Sequence, residues 1–573
     1  MTDLKRATED WINGDPDPLT RAELAGILAS GDMSKLEDRM AGTLTFGTAG
    51  IRGAVAAGAN RMNRAVVIRT TAGLAAHLLA TTEPDERLIA IGRDARPSSE
   101  AFMADTIGVL VAAGFTVRYF PDPTPTPLVA YAGLTMGACS SIVITASHNP
   151  PADNGYKVYA SNGIQIISPT DAQIAEQIDL VGPANRVPRA ADPFTHPAAT
   201  PIGNDLFESY LRDVGVSLPG VAGDRSLSIV YTAMHGVGGR FVTEALGRFG
   251  FKNVTPVARQ FAPDGLFPTV SFPNPEEPGA LDLAHELGQA TDADLVLAND
   301  PDADRLGVSV PDPAGVWRPL TGNQIGCLLG EFLLTNWSRP DCAIVVNSIV
   351  SSPLLGQIAE AHGATWDRSL TGFKWIWNAA LELEKKGRGM LALGYEEALG
   401  YSVGTTVRDK DGISAALAFA IMAADARAKG KTVLDLVGDL HRRYGVAVSS
   451  QVSIRMQGRD GRAKIAAAMT VLRNNPPSHI GDHSVVGVTD FLVGAEDRPT
   501  YLGATNLIEL DFGPAGRILA RPSGTEPKLK IYVDLQEPFP ESGDWMGAEA
   551  ALVASATNTG NDLAEWLRTA ITP

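Results

Sequence analysis

One pattern occurs three times in this 573-residue chain and leaves few folds open. It is a short apolar strand, a small-residue turn, an amphipathic helix, a glycine and a second strand. The copies are RLIAIGRDARPSSEAFMADTIGVLVAAGFTVRYF (Arg87–Phe120), LSIVYTAMHGVGGRFVTEALGRFGFKNVTPV (Leu227–Val257) and CAIVVNSIVSSPLLGQIAEAHGATWDRSL (Cys342–Leu370). This is the βαβ unit, whose strands run parallel. After each copy comes another apolar strand ending in a polar motif: SSIVITASHNP, ADLVLANDPDADR and GMLALGYEEALG. Open parallel sheets bind ligands beyond the carboxyl ends of their strands, and all three motifs stand there.

The flanks differ. Thr2 to Arg39 read as polar helices, an N-terminal extension. From Ser449 on, SSQVSIRM, a helical stretch Arg462–Arg473, then YLGATNLIELDFG, GRILARPSGTEPKLKIYVDL and a last helix read as an α+β domain. At roughly 150 residues per domain the length suggests about three or four domains. The proline-containing stretches 182–201 and 474–478 read as linker or loop.

Bulk properties exclude several classes. Apolar residues make up 45% and charged residues 20%, as in an ordinary globular protein. Against 48 Lys and Arg stand 65 Asp and Glu, a formal charge of −17, which does not attract nucleic acid or anionic lipid. An anionic ligand then needs a locally basic site. Cys139, Cys327 and Cys342 are scattered and lack CxxC spacing, so neither a disulfide framework nor a structural zinc site is expected. The polar start MTDLKRATEDWINGDP has no signal-type apolar core. No run approaches about 18 uncharged apolar residues, so no membrane span is expected. The expected setting is cytoplasmic.

In ITASHNPPADNGYKVY, an apolar strand delivers Ser147 to a turn stiffened by Pro150 and Pro151. A serine hydroxyl becomes a useful nucleophile or phosphoryl acceptor only when positioned and assisted. His148, Asn149 and Lys157 stand close by in sequence. In NDPDADR, Asp300, Asp302 and Asp304 alternate, so in a roughly extended loop all three point one way. Converging carboxylates call for a cation, and oxygen ligands suit Mg2+. An EF-hand would need Gly and Glu at loop positions six and twelve, where this chain has Arg305 and Pro311.

GYEEALGYSVG carries adjacent acids, Glu396 and Glu397, at a loop tip suited to sugar hydroxyls, and RDKDG follows with Lys410. RPSGTEPKLKIY offers Arg521, Ser523, Gly524 and Thr525. A guanidinium, two hydroxyls and loop N–H groups fit a phosphate, although GxxxxGK[ST] is absent and no nucleotide loop is implied. FGTAGIRG around Arg52, GRDAR and TGFKWI with Lys374 complete the set.

These motifs, in this order, closely resemble the α-D-phosphohexomutase family of phosphoglucomutases and phosphomannomutases, from about Phe46 to Asp534. TASHNP with NGYK, DPDADR and RPSGTEPK carry the resemblance. GTAGIRG, FPNPEEPGAL and GYEEALGY look most like the branch of bacterial phosphoglucomutases and the animal phosphoglucomutase-2/phosphopentomutase type. The implied fold is three similar α/β domains with mixed, largely parallel sheets plus a C-terminal α+β domain around a central cleft. Expected bounds are 1–205 (extension and phosphoserine domain), 206–322 (metal loop), 323–446 (sugar loop) and 447–573 (phosphate loop).

The resemblance also implies a mechanism. Ser147 would be a phosphoserine that donates its phosphoryl group to a sugar monophosphate and recovers the other phosphate from a 1,6-bisphosphate intermediate. Mg2+ would be held by the phosphate on Ser147 and by Asp300, Asp302 and Asp304. Arg52, Lys157 and Arg305 would offset charge at the transferring group, since phosphoryl transfer rests on positioning and neutralisation. Lys157, His148 or Lys410 would stand near the moving proton. Glu396 would bind sugar hydroxyls with Lys374 nearby, and Arg521, Ser523, Gly524 and Thr525 would hold the second phosphate.

Some relatives read G-E-M-S-G-H in the sugar loop. Here Ala398 replaces the serine and Tyr401 stands near the histidine position. The implied substrates are small sugar phosphates, foremost glucose 1-phosphate and glucose 6-phosphate, with mannose and ribose phosphates as rivals. Glucose 1,6-bisphosphate would be intermediate and activator, and the assembly a monomer or homodimer. Two other classes compete. One is a phosphatase with Asp300 as nucleophile and Asp302 as acid/base; the other is a sugar-phosphate-binding protein without turnover.

Overall fold

A computed structural model describes residues 2–44, 50–456, 461–523 and 528–571. The three βαβ copies build three sheets on one plan. In the first, Leu88–Arg93 lies between Thr116–Tyr119 and Ser140–Ile144, all parallel, and Asp153–Ala160 returns antiparallel beside Ser140–Ile144. In the second, Ile229–Thr232 lies between parallel Val254–Pro256 and Leu295–Ala298, and Gly307–Pro311 returns antiparallel. In the third, Ala343–Ser348 lies between parallel Thr365–Ser369 and Met390–Glu396, and Gly400–Val403 returns antiparallel. Each polar motif occupies the turn between the last parallel strand and its antiparallel neighbour. The sheets are therefore mixed, with parallel centres.

The central parallel strands are largely apolar because helices cover both faces. Ile229–Thr232, Leu295–Ala298 and Ala343–Ser348 are buried along their whole length. A continuous apolar core runs from Ala90 and Val143 of the first unit through Leu297 and Leu329 to Phe419. It holds the three units together.

The fourth unit is a five-stranded antiparallel sheet in the order Val446–Arg455, Lys528–Glu537, Gly516–Pro522, Ile508–Asp511, Gly487–Asp490. The helix Trp545–Ala570 buries Leu552, Ala556 and Leu563 against its own core. At the front, Thr2–Gly14, Pro18–Ser30 and Met33–Met40 form the expected helical extension. The stretch 182–201 is more ordered than a linker. Its end, Ala199–Pro201, pairs in parallel with Thr116–Tyr119 and closes one edge of the first sheet, covering otherwise open backbone groups. Among the described residues no helix is long and apolar enough to cross a membrane.

Candidate active site

The site grows from the three turns. Ser147 leaves the strand Ser140–Ile144 with φ +51, in the left-handed region that a non-glycine residue seldom adopts. Its N–H donates to Thr145 Oγ1 at 2.9 Å. Its hydroxyl donates to Asp300 Oδ2 at 2.8 Å and lies 3.1 Å from His148 Nδ1. The His148 ring packs edge-on against Phe272. Burial, then the Arg305 and Arg52 charges, hold His148 well below the usual imidazole range, so it is neutral. Arg52 reaches the same loop, Nη1 donating to Asn149 Oδ1 at 3.1 Å.

The acidic motif is a tight turn, not the extended loop expected from its alternation. The Ala303 N–H donates to the Asp300 carbonyl at 2.9 Å, and Ala303 takes φ +56. The turn, rather than strand pleating, makes the carboxylates converge. One oxygen from each of Asp300, Asp302 and Asp304 lies within 4.8 Å of the others, and all three residues are fully buried.

Lys157 Nζ donates to Asp302 Oδ2 at 2.7 Å and Asp304 Oδ2 at 2.9 Å. Lys410 Nζ stands 3.1 Å from Asp304 Oδ2 and 3.4 Å from Asp409 Oδ1. Thr126 donates to Asp302 Oδ2 at 2.8 Å, and the Arg305 N–H to Asp300 Oδ1 at 3.0 Å. Burial and the neighbouring carboxylates push Asp300 far up. Burial would also raise Asp302, but Lys157 overrides it and holds that carboxylate down.

Two buried oxygens, Asp302 Oδ1 and Asp304 Oδ1, have no hydrogen-bond partner among the described residues. Buried acceptors are normally satisfied. An all-oxygen set with orphaned acceptors fits a hard divalent cation such as Mg2+.

The third turn is stitched to the second. Arg305 Nη1 donates to the Ala398 carbonyl at 3.0 Å, and the Leu306 N–H to the Leu399 carbonyl at 3.0 Å. Glu396 Oε1 accepts from the Gly372 N–H at 2.6 Å, and burial followed by the Glu397 charge raises its pKa. Lys374 opens the helix Phe373–Lys385, is buried and forms no ion pair with a described residue; burial lowers its pKa. Tyr401 does not face the cleft. It is fully buried, and its hydroxyl donates to the Gly322 carbonyl at 3.2 Å.

The fourth unit completes the ring. Arg521 Nη1 donates to Thr371 Oγ1 at 2.6 Å, next to the glycine that binds Glu396. The Ser523 N–H donates to the Lys528 carbonyl at 2.7 Å. Gly524 and Thr525 lie outside the described residues.

Ser147, His148, Lys157, Lys410, Arg305, Arg52 and the three aspartates thus meet in one cluster. Glu396 and Arg521 form a second group at Thr371 and Gly372, joined to the first through Arg305 and Ala398; Lys374 follows that glycine in the chain, and the charge that acts on it is Asp171. Sequence reasoning gave no role to several neighbours. Arg96 carries the Ser147 loop. Glu276 stands with Oε2 3.9 Å from Arg305 Nη1. Lys530 lies directly opposite Arg521 across the strand pair. Lys530 did leave a signal: two residues after Lys528 in a strand, it shares that residue's face. Thr126 left none.

Four domain families match the chain in order: phosphoglucomutase/phosphomannomutase alpha/beta/alpha domains I (43–182), II (208–315) and III (321–444), and the C-terminal domain (490–538). A Haemophilus influenzae protein named "Probable phosphomannomutase" is 40% identical over 85% of this chain and 96% of its own length. The human "Phosphopentomutase" is 34% identical over 93% and 92%. The human "Glucose 1,6-bisphosphate synthase" is 32% identical over 93% and 90%. In fold, the chain is similar to a Thermus thermophilus protein described as a "putative phosphomannomutase", with TM-score 0.69 and 23% identity over 91% of this chain and 99% of that one.

Proposed function

The chain belongs to the phosphoglucomutase/phosphomannomutase family, and from that premise we propose that Ser147 is a phosphoserine that moves a phosphoryl group between two positions of a sugar. The observation that carries this reading is Ser147 Oγ, buried and hydrogen-bonded to Asp300, within a shell of Lys157 and three converging carboxylates. A serine needs such neighbours to give and take a phosphoryl group.

In the forward half-reaction a sugar hydroxyl attacks the phosphorus and the Ser147 Oγ–P bond breaks, giving a bisphosphorylated sugar such as glucose 1,6-bisphosphate. After the sugar turns over, Ser147 Oγ attacks the other phosphate, and the isomeric monophosphate leaves. Asp300, Asp302 and Asp304 would hold Mg2+, which when bound neutralises phosphate charge. Lys157, Arg52 and Arg305 supply further positive charge. Lys410, held between Asp304 and Asp409, or neutral His148 would relay the proton of the attacking hydroxyl.

Glu396 would bind sugar hydroxyls beside Lys374. Arg521, with Ser523, Gly524 and Thr525, would clamp the phosphate that is not being transferred. Arg521 and Lys530 face each other directly, and like charges so placed repel. Burial, and beyond it Lys528 and Arg521, lower the Lys530 ammonium. A bound phosphate relieves that repulsion.

Our first choice of substrate is the glucose 1-phosphate/glucose 6-phosphate pair. A pentose reading has support of its own: relatives named phosphopentomutase and phosphoribomutase match over 92–93% of the chain. The three unpaired thiols support a cytoplasmic setting, as monomer or homodimer. The test is a coupled isomerisation assay with Mg2+ and a trace of glucose 1,6-bisphosphate. Glucose, mannose and ribose 1-phosphates are offered separately, with Ser147→Ala in parallel. Isomer formed by the wild type and lost in the variant supports the mutase, and the rates rank the sugars. Release of free phosphate without isomer overturns it.

A further inference from the structure

We infer that Arg96 is the positioning residue of the Ser147 loop, and that Phe267, from the second unit, holds the Arg96 guanidinium in place. The inference rests on the phosphoserine reading and adds a group that touches neither sugar nor phosphate.

Arginine carries five N–H donors in a rigid fork, and here all five are used. Nη2 donates to the carbonyls of Ser147 at 2.8 Å and Asn149 at 2.6 Å. Nη1 donates to the carbonyls of Pro150 at 2.6 Å and Asp153 at 2.8 Å. Nε donates to Asp94 Oδ2 at 3.1 Å. Asp94 is itself anchored, Oδ1 accepting from the Arg96 N–H at 3.0 Å and from Ser99 Oγ at 2.6 Å. The Arg96 and Asp94 side chains are only 1% and 2% exposed. A charge that deep persists only when paired and fully hydrogen-bonded.

The four carbonyls belong to a stretch with almost no regular structure of its own. Pointing them inward at one cation shapes the loop. It accounts for Ser147 at φ +51, a strained conformation that lasts only where the surroundings impose it. With the Ser147 carbonyl turned to Arg96, its hydroxyl is left facing Asp300.

The second unit closes on the clamp from outside. The Phe267 ring lies 5.1 Å from Arg96 Cζ, across the guanidinium face. A methyl group on Gly265 would come within 2.4 Å of Arg96 Cα, so this turn presses directly on the arginine. The same unit supplies Asp300. It therefore meets the serine loop twice, at the hydroxyl and at the clamp. Disturbing the clamp turns Ser147 Oγ relative to Asp300 and leaves the sugar and second-phosphate contacts as they were. The loss should fall on kcat and spare KM.

The experiment compares wild type, Arg96→Lys and Phe267→Leu, with Ser147→Ala in parallel. Each is checked for folding by circular dichroism and melting. Lysine keeps the charge but lacks the fork and cannot hold four carbonyls. Misplacing a reacting atom by about 1 Å can cost about 100-fold in rate, and that is the kcat loss expected for Arg96→Lys, with KM within about twofold. Phe267→Leu should lose several-fold in kcat, again with KM unchanged. A folded Arg96→Lys with wild-type kcat, or one whose KM rises while kcat holds, overturns the inference. If Arg96→Lys does not fold, Phe267→Leu decides, and wild-type kcat there overturns it. Wild-type turnover by Ser147→Ala would sink the phosphoserine reading itself, whereas an inactive Ser147→Ala beside a fully active Arg96→Lys sinks the clamp alone.

Discussion

Ser147 Oγ and Asp300 Oδ2 are 2.8 Å apart although 153 residues separate them in the chain. The serine closes a turn of the first sheet and the aspartate opens a turn of the second. Their contact brings the proposed reaction centre together from two units that each fold around their own strands.

Replacing Ser147 with alanine removes the only atom in this reading that can carry the phosphoryl group. We expect turnover to fall at least about 10,000-fold, as for loss of a covalent nucleophile, with the melting temperature within a few degrees of wild type. Intact-mass measurement after exposure to glucose 1,6-bisphosphate should show one added phosphate on wild type and none on Ser147→Ala.

Stripping divalent ions with EDTA should lower activity to about 1% or less, and Mg2+ should restore it. Asp302→Asn removes one of three converging charges and weakens the anchor of Lys157. It should bind Mn2+ at least about tenfold more weakly by electron paramagnetic resonance. Unchanged Mn2+ affinity would remove Asp302 from the ligand set.

Arg521→Ala deletes a charge-assisted contact to a phosphate that does not react. Such contacts are worth about 1.5–3 kcal/mol, so KM should rise about 10- to 100-fold with kcat within about threefold. An unchanged KM would take Arg521 out of the clamp.

Glu549 ties the last helix to the middle of the molecule. It is buried, pairs with Arg318, accepts from Gln324 Nε2 at 2.7 Å and lies 3.4 Å from His441 Nε2. Burial would raise its pKa, yet His441 and Arg318 override this and lower it. A carboxylate depressed on folding adds stability above its unfolded value, about 4.3. That stability is lost as pH falls through the lower folded value. Docking of the helix Trp545–Ala570 should therefore hold at neutral pH and loosen below about pH 4.3. The fluorescence of Trp545, which packs on Arg318 and His441, reports it. Glu549→Ala should cost about 2 kcal/mol at pH 7, since it removes the charged acceptor shared by Arg318, Gln324 and His441. A melting curve equal to wild type would contradict this.

The sequence by itself determined the three βαβ units and the place of their turns, because apolar periodicity and turn-forming residues act over a few neighbours. It also determined which side chains could do the chemistry: Ser147, Lys157 and the three aspartates are compact local motifs. Tertiary structure decided how they meet. The alternation of Asp300, Asp302 and Asp304 suggested an extended loop, but the Ala303–Asp300 hydrogen bond closes a turn and aims the carboxylates at one point. Tyr401 lay beside the expected base position in sequence, yet packing on Tyr395 turns it into the core. Arg96 read as the end of a strand, and its four carbonyl partners lie 51 to 57 residues away. Glu276 and Lys530 reach the cleft only because their units pack around it. Such contacts depend on closing long stretches of chain and on buried surfaces fitting, and no local pattern encodes either.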